Sequence, residues 1–228
     1  MQELKPRLQT VYKSVPINSV VADIGTDHAF LPIALIKGGI AKKVIACDIS
    51  EGPLSVAQKN VNAVGVDNIE LRLSDGLNEI NEGEVDVVTI AGMGGDIISK
   101  IILSAPWLKA HKTLLILQAM SSADVLRTNL NLEGYEILTE KGVIDSGRVY
   151  SVITARYTGN NKELSCSKKY IGELAEDKSD AATKYIKLQL SRITECAKSV
   201  ENISHKQELY KEMCAAKKEI EKILEKRG

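Results

Sequence analysis

The sequence is poor in cysteine. Its four residues, Cys47, Cys166, Cys196 and Cys214, are scattered and form no C-x-x-C pair, which excludes a zinc ribbon and a disulfide framework and points to free thiols in a reducing cytoplasm. Aromatic residues make up 4% of the chain, with one tryptophan and one phenylalanine. The apolar runs stop at about five to seven residues, well short of the roughly 20 that span a bilayer. The start, Met1-Gln2-Glu3-Leu4-Lys5-Pro6, lacks the apolar core of a secretion signal. There are three histidines, and His28 has no metal-ligating partner at helical spacing, so no metal site is expected. A membrane role is likewise not expected, and the chain is assigned to the cytoplasm.

Neither charge sign is in excess: 30 Lys and Arg balance 30 Asp and Glu. The balance is uneven along the chain. From Asn161 onward 15 basic residues face 12 acidic ones, a net of +3, which leaves −3 on the remainder. The asymmetry permits a basic surface on the last part without requiring nucleic acid. With 44% hydrophobic and 26% charged residues, 228 residues suffice for one α/β domain plus an appendage.

The first 160 residues alternate between two periodicities. A lead-in helix is expected over 1–15, with apolar Leu4, Leu8, Val11, Tyr12 and Val15. Ser19–Ile24 is a short apolar run of the kind a buried parallel strand carries, and further strands are expected at Lys43–Asp48, Ile69–Leu73, Val85–Ile90 and Thr113–Leu117. Helices are expected from Phe30 to Gly38, from Pro53 to a stop at Gly65, and over Ala123–Glu133. Tyr135–Val143 and Val149–Tyr157, joined by Asp145-Ser146-Gly147, read as a hairpin at the sheet edge. This order predicts an α/β fold with a mostly parallel, Rossmann-like sheet and a site at the carboxyl ends of its strands.

After a linker at Gly159–Lys162 the chain changes character. Apolar residues fall at Ala182, Ile186, Ile193, Ala197 and Val200, and again at Leu209, Met213, Ala216, Ile220 and Ile223. The alternating three-and-four spacing predicts a helical hairpin, read as an antiparallel coiled coil, with Ser204-His205-Lys206-Gln207 as a capping box opening its second helix. Two domains result, 1–160 and 161–228.

The chemistry gathers at the strand ends. Asp23-Ile24-Gly25-Thr26-Asp27 places two carboxylates around one glycine, the pattern of a first loop that binds S-adenosylmethionine, whose α-amino and sulfonium groups are both positive. A nicotinamide or flavin fold would carry G-x-G-x-x-G here to seat a pyrophosphate, and only one glycine is present. Asp48 ends the second strand, where a carboxylate can take two ribose hydroxyls. Asp75, in Ser74-Asp75-Gly76, ends the third, where it can take an adenine amino group. Ala91-Gly92-Met93-Gly94-Gly95 follows the fourth, and its glycines permit close backbone approach to the methyl donor. There is no Asn/Asp-Pro-Pro-aromatic loop, which argues against exocyclic-amine methylation by that route.

Together, Asp23-Ile24-Gly25-Thr26-Asp27-His28-Ala29-Phe30-Leu31-Pro32, Asp48-Ile49-Ser50-Glu51-Gly52-Pro53-Leu54, Asp75-Gly76-Leu77 and Ile90-Ala91-Gly92-Met93-Gly94-Gly95 closely resemble the bacterial TrmK-type tRNA (adenine-N1) methyltransferases, as do the Arg7-Leu8 and Leu126-Arg127 pairs. The resemblance spans the whole chain. It implies methyl transfer from S-adenosylmethionine, leaving S-adenosylhomocysteine, to N1 of adenosine 22 in the tRNA D-arm. One departure is Gln118-Ala119, where many members have Gln-Pro; it weakens Gln118 as a site contact.

On this reading Asp23, Gly25, Thr26, Asp27, Asp48, Ile49, Ser74, Asp75, Gly76, Ala91 and Gly92 hold the cofactor. Asp27, His28, Gly92, Met93, Gly94 and Gly95 surround the reacting centre, with a purely structural His28 as the other reading. Arg7, Arg127, Lys168, Lys169, Lys184 and Lys187 are the expected tRNA contacts. Tyr170 and Tyr185 read as hairpin packing, or as platforms for exposed bases. The hairpin itself has two readings, a tRNA-contacting appendage or a packing and dimerisation element, and a monomer is slightly favoured. The alternative function is methylation of another RNA, a protein or a small molecule, with the coiled coil used for oligomerisation.

Overall fold

The computed structural model describes residues 3–161 and 164–227, so Lys162 of the expected linker lies outside the described residues. Helix α1 (Pro6–Ser14) leads into β1 (Ser19–Ile24), α2 (Phe30–Lys37), β2 (Ala41–Asp48), α3 (Glu51–Val64) and β3 (Ile69–Leu73). Then come β4 (Val87–Gly94), α4 (Gly95–Leu103), α5 (Trp107–Ala110), β5 (Leu114–Ser121), α6 (Ala123–Leu132), β6 (Tyr135–Asp145) and β7 (Arg148–Tyr157). The strands form one seven-stranded sheet in the order β3-β2-β1-β4-β5-β7-β6. The first five are parallel, and β7 runs antiparallel to both β5 and β6.

The central strands are buried on both faces, which is why they read as continuous apolar runs. Val21, Ala22, Val44, Ile45, Val88 and Leu115 are all 0–1% exposed or fully enclosed. One core layer packs Ile98, Leu126 and Leu130 of α4 and α6 against the sheet. The opposite layer packs Val11, Leu31 and Leu35 of α1 and α2. Gly65 ends α3 with φ +63, its N–H bonded to the Val61 carbonyl at 3.1 Å, the left-handed stop that glycine provides at least cost. The strand order reverses between β1 and β4, and an α/β sheet opens its binding crevice at such a point.

Two local features depart from expectation. β4 does not end at Ile90 but continues through the glycine stretch to Gly94. Ala91 pairs with Gln118, Met93 with Ala119 and Gly94 with Ser121, so Gly92, at φ +87, bulges out of the ladder. The second departure is at Ser204. Residues Ser204–Lys206 form a 3₁₀ turn with no side-chain cap, and the Gln207 amide instead donates to the carbonyls of Glu201 and Ile203, at 2.8 and 3.3 Å.

The last part is helical, as expected: α7 (Cys166–Ile171), a 3₁₀ turn (Gly172–Ala175), α8 (Asp180–Val200) and α9 (Gln207–Glu225). Ile186, Ile193, Ala216 and Ile220 form its own core between α8 and α9. Each fully buried Ile is worth about 1.5–3 kcal/mol. The hairpin also rests on the sheet. A side chain at Gly142 of β6 would collide with the Ala182 backbone, and the Gly142 N–H donates to Asp177 Oδ2 at 2.8 Å.

Candidate active site

The loop after β1 is fastened before it meets any ligand. The Gly25 and Thr26 N–H groups both donate to the Cys47 carbonyl at 2.9 Å, tying the loop to β2. Gly25 lies at φ +73 with the Met93 methyl packed where a Cβ would stand, so both backbone angle and space call for glycine. Asp27 and Ala29 take left-handed angles, φ +54 and +58, on either side of His28. Non-glycine residues hold such angles only where the surroundings enforce them, and they collect at functional sites.

Three strand-end carboxylates are set up differently. Asp23 is 5% exposed and accepts from Thr89 Oγ1 at 2.7 Å; burial raises its pKa, with the Thr89 hydrogen bond opposing. Asp48 Oδ2 accepts from the Asp27 N–H at 3.2 Å and Oδ1 from the Ser50 N–H at 3.1 Å. A carboxylate has about four acceptor positions, so each Asp48 oxygen keeps capacity for a ligand hydroxyl. Asp75 is exposed at the cleft edge, while Ser74 is committed to its own turn, donating to the Gly76 carbonyl at 2.9 Å.

These groups line one cleft of about 580 Å³ at the β1/β4 switch point, within the range of small-molecule sites. All eleven residues expected to hold a cofactor are on its walls: the carboxylates of Asp23, Asp27, Asp48 and Asp75, the turns Gly25-Thr26 and Ser74-Gly76, the side chain of Ile49, and Ala91-Gly92. Ile97 and Ile101 of α4 add to the apolar lining with Ile49, and Arg7 and Leu8 of α1, with Leu4 just before it, also line the cleft. The sequence reading missed Ile97 and Ile101, although they lie on the helix that follows the glycine stretch, and it missed Thr89, whose only sequence signal was a lone hydroxyl in an apolar strand.

Of the residues expected at the reacting centre, Asp27, Gly92 and Met93 line this cleft, whereas His28, Gly94 and Gly95 do not. The His28 ring stands 3.6 Å from Asp27 Oδ1 and is tilted against Phe30, and its carbonyl accepts from Asn60 Nδ2 at 2.9 Å. Gly95 packs against the Ser122 carbonyl, leaving no room for a side chain.

Arg7 crosses from α1 to the far end of the sheet. Its Nε donates to Asp145 Oδ2 and its Nη1 to Gln118 Oε1, both at 2.8 Å, and its guanidinium lies 5.4 Å from the Tyr150 ring centre. Gln118, fully buried, spends its amide N–H on the Ala119 carbonyl at 2.8 Å. It is therefore a tie between α1 and β5. Asp145 and Tyr150 were not foreseen, because Asp145-Ser146-Gly147 carries only a turn signal.

Arg127 is the clear correction among the expected tRNA contacts. It is 0% exposed, paired with Glu140 at 2.6 Å, and donates to the Tyr170 carbonyl at 2.9 Å and the Tyr185 hydroxyl at 3.1 Å. No RNA phosphate can reach it without unfolding this network. Tyr170 and Tyr185 are 8% and 5% exposed and so belong to packing. Lys168 and Lys169 are paired with Glu173 and Glu212 at 2.6 and 2.7 Å, while Lys184 and Lys187 are exposed on α8. Among the described residues no group of three His, Cys, Asp or Glu is arranged to hold a metal ion, and no helix is long and apolar enough to cross a membrane.

Comparison with known proteins agrees with this geometry. The family described as a methyltransferase domain matches residues 4–153. The tRNA (adenine(22)-N(1))-methyltransferase of Bacillus subtilis (strain 168) is 39% identical over 158 residues, which are 68% of this chain and 66% of that one, just under two thirds of the relative's length. The crystal structure of the B. subtilis m1A22 tRNA methyltransferase TrmK superposes with a TM-score of 0.85 at 29% identity, covering 98% of this chain and all of that one. M. capricolum TrmK in complex with S-adenosyl-homocysteine superposes with a TM-score of 0.78 at 27% identity over 98% of this chain and 99% of that one. This chain belongs to the methyltransferase-domain family and, within it, to the TrmK-type tRNA methyltransferases.

Proposed function

We propose that the protein transfers a methyl group from S-adenosylmethionine to N1 of adenosine 22 in the D-arm of tRNA, releasing S-adenosylhomocysteine. The observation that carries this reading is the set of four carboxylates converging on one cleft from the β1, β2 and β3 ends, with a bulged glycine strand beside them. The cleft fits the cofactor's chemistry. Asp48 has free acceptor capacity for the ribose hydroxyls, and Asp75 stands at the edge for the adenine amino group. The flanking Ile49, Ile97 and Ile101 suit a flat base, while Asp23 and Asp27 suit the positive amino-acid end. When bound, S-adenosylmethionine supplies an electrophilic methyl on its sulfonium.

Adenine N1 carries an in-plane lone pair, so the site needs no general base. Its tasks are alignment and electrostatics. Gly92 keeps the wall thin where the target base must approach, and Met93 props the loop through its contact with Gly25. His28 acts as a positioning residue behind Asp27. Methylation makes the adenine ring cationic, and the pairing of Arg7 with Asp145 keeps a bare positive charge away from that ring. N1 lies on the Watson–Crick edge, so the base has to be unpaired or extruded to react.

The partner is tRNA, and the setting is the cytoplasm, where tRNA is modified. Residues 161–228 act as a helical RNA-contacting element carried by the 1–160 catalytic domain, with Lys184 and Lys187 of α8 available to phosphates. Nucleoside analysis of unmodified tRNA transcripts incubated with protein and S-adenosylmethionine tests the proposal. It expects 1-methyladenosine; N6-methyladenosine, or label in no nucleoside despite cofactor binding, would refute it.

A further inference from the structure

A second cleft, of about 400 Å³, opens where the helical hairpin meets the sheet. Its floor is the end of β5, Met120 and Ser121, with Ser122 before α6. One wall carries Arg148, the first residue of β7, and the other carries Arg192 of α8. Both arginines are exposed. The arginine ion pairs among the described residues belong to Arg7, Arg72 and Arg127, and neither Arg148 nor Arg192 donates a side-chain hydrogen bond to another described residue. Asp124, in the first turn of α6, is the one carboxylate on the lining. The groove is therefore positive, with two guanidinium forks on facing elements that hold no other described residue. Such forks match phosphate oxygens in number and geometry of donors.

The groove shares a wall with the cofactor cleft. Arg7 lines the cleft, while its Nη1 lies 3.1 Å from Met120 Sδ and its guanidinium sits over Tyr150, and both of those residues line the groove. Ser121 pairs with Gly94, and the Ser122 carbonyl presses on Gly95, so the groove floor is in backbone contact with the glycine stretch. Ser122 holds φ +53, a left-handed angle in a non-glycine residue at this junction.

We propose that this groove receives the RNA backbone next to the target adenosine, with Arg148 and Arg192 binding its phosphates. The extruded base then turns across Arg7 and Met120 toward Gly92. The proposal rests on the reading of the protein as a tRNA methyltransferase and names how that substrate is gripped. It also explains why the hairpin is anchored to the sheet: the two phosphate-binding walls come from different parts of the chain and must keep a fixed separation.

The test compares Arg148→Glu, Arg192→Glu and, as a charge-matched control, Arg156→Glu, an exposed residue near the other end of β7 that does not line the groove. Affinity for a tRNA transcript is measured at several salt concentrations, with S-adenosylhomocysteine affinity as the check that each variant is folded. Each groove variant is expected to weaken tRNA binding about tenfold and to reduce the salt slope by about one, with cofactor affinity unchanged. Arg156→Glu is expected to stay within about twofold of the parent protein. Groove variants indistinguishable from Arg156→Glu, on a parent protein that does bind tRNA, would overturn the groove assignment alone. A parent protein that binds cofactor but not tRNA would overturn the methyltransferase reading and the groove with it.

Discussion

Arg127 of α6 and Glu140 of β6 form an ion pair with both side chains fully enclosed, 2.6 Å between Nη2 and Oε1. The pair joins the seven-stranded sheet to the helical last part of the chain. Arg127 also holds the Lys169 and Tyr170 carbonyls, and Glu140 accepts the Glu173 N–H at 3.1 Å. Gly172, at φ +54, passes so close that a side chain there would overlap both partners. Removing one member of a buried pair strands the other charge and costs about 3–5 kcal/mol. Arg127→Met should lower unfolding free energy by about that amount in urea titration, and Arg127→Met/Glu140→Leu should recover part of it. A loss under about 1 kcal/mol for the single variant would mean the pair does not clamp the hairpin.

Arg127 also shows where local reading runs out. Its partners lie 13 to 58 residues away, in β6, β7 and the hairpin, so no short window contains them. A partial signal was present, because Arg127 shares a helical stripe with Ala123, Leu126 and Leu130, and a lone charge in an apolar stripe is a candidate for buried pairing. β1 and β3, by contrast, have the same bounds in sequence and structure: β1, covered on both faces, is an apolar run cut off by glycine, and β3, at the sheet edge, alternates apolar and charged residues until Ser74-Asp75. The extension of β4 to Gly94 was hidden because glycine normally punctuates, and it is pairing with β5 that carries the strand onward. The carboxylates that line the cleft were legible because parallel strands deliver their ends to one edge. The contribution of Asp145 was not, since a hairpin tip has no sequence mark of what it touches.

Asp48→Asn should weaken cofactor binding without unfolding the protein. The amide keeps one acceptor for a backbone N–H but loses the charge that strengthens hydrogen bonds to ribose hydroxyls, worth about 1.5–3 kcal/mol. Calorimetric titration with S-adenosylhomocysteine should show affinity reduced about tenfold or more. An unchanged dissociation constant would remove Asp48 from the cofactor site.

Asp145→Asn should act on rate and spare cofactor affinity. It leaves the Arg7 charge unbalanced near Gly92, where the proposed reaction develops positive charge on the base, and a cost of about 1.4 kcal/mol in the barrier corresponds to about tenfold in turnover. Single-turnover methyl transfer at saturating cofactor and tRNA measures it. Full turnover in this variant would show that the Arg7–Asp145 pair serves folding alone.

Glu84 gives a pH-dependent contribution to stability. Its hydrogen bond to Arg72 is the main cause that lowers its pKa to about 2, and the pair lies at 2.9 Å. A carboxyl depressed in the folded state stabilises the protein above its ordinary pKa and loses that contribution as pH falls toward the folded value. The stability gap between the parent protein and Glu84→Gln should therefore be present at pH 7 and shrink from about pH 4.5 downward. A gap independent of pH between 7 and 3 would contradict this.

The most direct test of the central claim is labelled methyl incorporation into two tRNA transcripts that differ only at position 22, adenosine in one and guanosine in the other. The account predicts stoichiometric label in the first, recovered as 1-methyladenosine, and background in the second. Equal incorporation into both, or none into either by protein that binds S-adenosylmethionine, would contradict it.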